Sequence, residues 1–173
     1  KGLIRLAVLV WTMSAPSAFL VSLIVKYILW PHNVAQGKCT DGFKKPFILI
    51  MHNANSIAAL TEVGLMGGLP CRFQDFAVAP MFGLVYILFA WSMSHGWTDD
   101  FKRDGPQFIY PFFDTTLGST CSIAIVALFG CFVLSFCLFS FVEFILTEYV
   151  GGGVVGHTIA VVLLSASVCR FRD

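Results

Sequence analysis

Five stretches of the chain are apolar for long enough to predict membrane-crossing helices: residues 6–25, 47–69, 76–93, 117–139 and the less apolar 150–168. A hydrocarbon core ~30 Å thick takes ~20 mainly apolar residues per crossing. Polar punctuation separates them. Lys26, Tyr27 and Trp30-Pro31 close the first stretch like an interfacial anchor, and a polar loop runs from Pro31 to Lys45. Gly67-Gly68-Leu69-Pro70 ends the second, and the most charged loop, with Asp99, Asp100, Lys102, Arg103 and Asp104, follows the third. The pattern predicts an all-α polytopic transmembrane bundle of four to five spans, a single domain over residues 1–173.

Local chemistry refines each element. Pro16 predicts a kink near the middle of the first span, tolerated because neighbouring groups re-satisfy the freed carbonyl. The short link through Arg72 and Asp75 predicts a tight antiparallel hairpin of spans two and three. Residues 106–114, PQFIYPFFD, predict an irregular aromatic piece at the interface. The apolar run from Leu117 to Tyr149 would be ~50 Å long as one helix, so a span to Phe139 with last turns emerging through Glu143 and Glu148 is expected. In the last stretch Gly152, Gly156 and Ala160 form a small-residue row suited to close helix contact, while Gly151-Gly152-Gly153 suits a link equally well.

Polar residues inside the second stretch carry the functional signal. His52, Asn53, Asn55 and Glu62 interrupt FILIMHNANSIAALTEVGLMGGL, residues 47–69. Such groups are costly at membrane depth and normally face protein or a wet cavity. At ~100° per residue, His52, Asn55, Ser56, Ala59, Glu62, Val63 and Met66 share one flank, which is expected to look inward.

Composition agrees with membrane insertion. The chain of 173 residues is 57% hydrophobic and 12% charged, against about 25% charged for soluble domains. A net charge of +1, with no basic run longer than Lys44-Lys45, excludes nucleic acid as a partner. Five crossings would place Lys26, Lys38, Lys44, Lys45, Lys102, Arg103, Arg170 and Arg172 on one side and Lys1, Arg5 and Arg72 on the other. The first side is then cytoplasmic or its organellar equivalent, and an organelle membrane is a plausible location. The opening at Lys1 has no initiator Met and no signal-peptide pattern, which predicts a longer precursor. Six cysteines show no metal-ligand spacing, so no metal site is expected.

An ordered set of elements resembles a known family. His52, Asn55 and Glu62, then Gly68-Leu69-Pro70, then FGLVYILFAW at 82–91, then an acidic loop leading to FIYPFFD at 108–114, are similar to the rolling-stone proteins and the related androgen-induced membrane hydrolases. The resemblance covers about residues 6–150. It implies a multi-spanning bundle and, for the androgen-induced type, a lipid-ester hydrolase with a Thr on an early helix and a His on a later one. The early helix has no counterpart in this chain. In one register Asn55 occupies the catalytic column, where an amide cannot replace an imidazole base; in a shifted register His52 occupies it.

The same residues admit several roles. They can hydrogen-bond to neighbouring helices and fix the bundle. His52 can serve as base for Ser56, one turn on, making a serine/threonine-type lipid hydrolase. His52, Asn55, Glu62, His95 and His157 can serve as axial ligands of a tetrapyrrole, chlorophyll or haem. The expectation is a non-catalytic accessory or scaffold subunit of a larger respiratory or photosynthetic membrane complex, with other transmembrane subunits and membrane lipids as partners. A membrane-embedded lipid-ester hydrolase is the alternative.

Overall fold

A computed structural model describes residues 2–37, 40–94 and 113–171. Among them there is no strand, and the order is α1 (Gly2–Ile24), α2 (Trp30–Ala35), α3 (Asp41–Lys44), α4 (Pro46–Leu65), α5 (Val78–Met93), α6 (Ser119–Glu148) and α7 (Gly153–Val168). The all-α architecture is as the sequence predicts.

Three helical units are long and apolar enough to cross a membrane: Gly2–Ala35, Phe73–Met93 and Ser119–Glu148. They are compatible with membrane insertion. With 20 residues, α4 reaches ~30 Å but is less apolar because of its His, Asn and Glu. With 16 residues, α7 reaches only ~24 Å.

The first helical unit departs from the sequence reading. It stays helical past Lys26, and one π-helical turn at Val25–Leu29 joins α1 to α2. Most of the expected loop is therefore helical. Pro31 fits because it stands in the first turn of α2, where a missing N–H costs least.

At the centre stands α1, which packs on α4, α5, α6 and α7. Its Ala15 and Phe19 join Ala59, Leu60 and Val63 of α4, Phe139 and Leu146 of α6, and Val161 and Val168 of α7 in the main core. Ser135 of α6 donates to the Pro16 carbonyl, a polar tie across the α1–α6 contact. A second cluster gathers Ile87 and Ala90 of α5 around Phe113.

A further expectation is corrected. No hairpin forms between α4 and α5; each packs on α1 and α6 instead, because the link 66–77, with a 3₁₀ turn at Phe73–Asp75, is long enough to separate them. The last turns of α6 keep one side on the bundle, while Phe144, Thr147 and Glu148 are exposed. Leu146 is fully buried in the main core.

Of the aromatic segment 106–114, only Phe113 and Asp114 lie within the described residues. Phe113 is buried and its carbonyl accepts from the Trp91 indole at 2.9 Å. Asp114 caps the turn Thr115–Leu117, accepting from the Thr116 amide at 2.9 Å and hydroxyl at 2.7 Å.

Helices α4 and α7 approach closely at Gly64. A Cβ on Gly64 would stand 2.4 Å from the Val161 side chain, so this position has room only for hydrogen. Gly152, by contrast, caps α7 with φ +86°, a left-handed turn that favours glycine. Gly152 thus ends the link before α7, while Ala160 of the small-residue row packs on the main core.

Candidate functional site

The inward face of α4 is set by Asn53, Ser56, Ala59, Leu60, Val63 and Gly64, all buried. At ~100° per residue its centre lies roughly 50° from the His52 direction, towards Asn53. Asn55 is exposed, and His52 and Glu62 are half-buried. The expected inward flank is therefore rotated: its Ser56 edge enters the core and its Asn55–Glu62 edge does not. Packing on α7 causes this, since Gly64 must meet Val161.

Asn53 makes the polar contact across helices. Its side-chain amide donates to the Arg170 carbonyl at 2.6 Å, and its side-chain oxygen accepts the Arg170 amide at 3.3 Å. The Arg170 guanidinium lies 3.3 Å from the centre of the Trp30 ring and donates to the Phe43 carbonyl at 3.4 Å. Lys26 donates to the carbonyls of Ala166 and Ser167 at 2.6 and 2.7 Å, and the Tyr27 hydroxyl donates to Ser167 at 2.6 Å. A cation at a helix C-terminus meets the negative end of its dipole.

The sequence had suggested Lys26, Tyr27 and Trp30 as interfacial anchors. Here they close the end of α7, placing Arg170 on the Lys26 side as the charge count for five crossings expects. Cys169, beside them, has its thiol pKa raised by burial.

His52 and Asn55 line an open groove between α1 and α4 of about 540 Å³, together with Trp11, Ser14, Ser17 and Met51. Among the described residues, the side chains of His52, Asn55 and Glu62 make no hydrogen bond. Ser56 is fully buried, donating to the Ala18 carbonyl at 2.8 Å and lying 2.8 Å from the Ser22 hydroxyl. The Ser22 hydroxyl also reaches the His52 carbonyl. No hydrogen bond joins Ser56 to the imidazole. Ser14 and Ser17 face the groove but bond their own helix at Trp11 and Met13.

The tetrapyrrole candidates are dispersed. His95 lies outside the described residues. Asn53 faces Arg170 and Gly64 faces Val161, so α4 and α7 run antiparallel. At 1.5 Å per residue, this register sets His157 and His52 roughly 20 Å apart along the axis, too far to share one ring. Among the described residues no group of three or more His, Cys, Asp or Glu could hold a metal ion.

One polar contact had no legible signal. Both Glu143 carboxylate oxygens, on α6, accept from the Cys71 amide at 3.0 and 3.2 Å. Burial, then the Glu143 charge and hydrogen bond, push the Cys71 thiol up to about 12.

Comparison with family models, with curated proteins and with solved structures finds no match to this chain.

Proposed function

We propose that the chain is a non-catalytic membrane subunit whose α1–α4 groove receives a transmembrane segment of another subunit. The observation that carries this is the pair His52 and Asn55, aimed into an open groove without a hydrogen-bonding partner among the described residues. Polar side chains facing hydrocarbon alone are costly, whereas a packed helix offering hydroxyls or amides satisfies them. Small residues on the groove walls, Ser14, Ser17, Ala18 and Ala58, permit close backbone approach. The outward side of the bundle points the same way: only 17% of the apolar stretch of α6 is buried in the chain itself, leaving broad surface for neighbours or lipid.

A lipid-ester hydrolase with His52 as base would need a hydroxyl within reach of the imidazole, and those nearby are bonded to helix carbonyls. The test is a native gel of membranes dissolved in mild detergent, with a photo-crosslinking residue at Ala58. Migration well above monomer size and a crosslink to a second polypeptide support the subunit reading. Migration as a monomer, with fluorophosphonate labelling that disappears in His52→Ala, overturns it in favour of the enzyme.

A further inference from the structure

At the end of the bundle opposite the Lys26–Arg170 contacts, the first turns of α1 and the link before α5 enclose a cleft of about 260 Å³. Arg5, Arg72, Gln74 and Asp75 supply its polar wall, and Ile4 and Val8 its apolar one. Among the described residues the ion pair present is Lys44–Asp41, so neither arginine is neutralised by Asp75 although all three line the same space. Two guanidiniums against one carboxylate leave the cleft with one positive charge.

We propose that this cleft binds the phosphate of a singly charged anionic phospholipid. Guanidinium forks match phosphate oxygens two at a time, and such charge-assisted bonds are about twice as strong as neutral ones. The position suits a headgroup: Arg5 immediately precedes the apolar run that begins at Leu6, where a long cationic side chain reaches the membrane surface. Toward the hydrocarbon the cleft wall continues in Leu9, and Leu6 and Val10 are 57% and 48% exposed, an apolar track along which an acyl chain lies. One phosphodiester charge balances the cleft, and Gln74 and Asp75 accept hydrogen bonds from a glycerol headgroup. A phosphate of higher charge would meet Asp75.

The experiment is native mass spectrometry of the full chain, released from detergent with equal phosphatidylglycerol and phosphatidylcholine of the same acyl composition. Phosphatidylglycerol should be retained about tenfold over phosphatidylcholine. Arg5→Gln with Arg72→Gln should abolish the preference, while Lys44→Gln with Lys45→Gln, at the opposite end, should leave it intact. Equal retention of the two lipids by the unaltered chain overturns the proposal. So does a preference that survives loss of both arginines or falls equally with the lysine pair. If the arginine variant fails to fold, competition on the unaltered chain decides: displacement of phosphatidylglycerol by excess short-chain phosphatidylglycerol but not by short-chain phosphatidylcholine supports the site, and equal displacement by the two overturns it.

Discussion

Asn53 holds both backbone polar groups of Arg170 with one side chain, donating to its carbonyl at 2.6 Å and accepting its amide at 3.3 Å. These atoms follow the last turn of α7, where no helical partner remains for them. Asn53→Leu should therefore destabilise the chain by about 1–3 kcal/mol, the cost of leaving buried backbone groups unpaired. Unfolding in mixed detergent measures it. An unchanged midpoint would show that water or lipid satisfies those groups.

Gly64 and Val161 define a second coupling. Gly64→Leu should force α4 from α7 and cost about 1–3 kcal/mol, as overpacking does. Val161→Ala alone opens a gap; combined with Gly64→Leu it should recover part of the loss. A double-mutant cycle with an interaction term near zero would contradict the contact.

Cys71 supplies a pH signature. Its thiol is raised from 9.0 to about 12, so the folded chain holds this proton more tightly than the unfolded one. The corresponding stability is fully present below pH 9 and is lost as pH rises towards 12. Near pH 9 maleimide should react with Cys71 much more slowly in the folded chain than in denaturant. Glu143→Gln removes the nearby negative charge and should accelerate folded-state labelling; an equal or slower rate would argue against the Cys71–Glu143 contact.

Asp114 carries the opposite sign. Its carboxyl lies below the usual carboxylate range because the Thr116 hydroxyl and amide both donate to it. The contribution is present above the ordinary carboxylate pKa and fades as pH falls through the lowered one. Hydrogen exchange at the Thr116 amide, corrected for intrinsic rates, should lose protection on acidification and in Asp114→Ala. Protection indifferent to both would remove the cap.

The sequence makes the helices legible but not their rotation. Apolar residues facing lipid and those facing core are the same types, because acyl chains are as apolar as leucine. Helical angle separates His52 from Asn53 but not which of them faces the core, and packing of Gly64 on Val161 decides that Asn53 turns inward. Asn53 could be suggested as a structural residue, but not matched to Arg170, which stands 117 positions away. Glu143 shows the same limit. A carboxylate late in a long helix reads as near water, but its partner, the Cys71 amide 72 positions away, leaves no trace in the sequence. The family likeness built on His52, Asn55 and Glu62 uses residues that packing leaves at the edge of the core or exposed.

Lys26 meets its carbonyl partners only at Ala166 and Ser167, 140 and 141 residues further along the chain. At synthesis rates of roughly 5–20 residues per second, the ammonium group waits on the order of 10–30 s before those carbonyls exist. Until then the first helix enters its surroundings with one cation unclasped, and insertion machinery or anionic headgroups must shelter it. Closure of this contact therefore waits until α7 has been made.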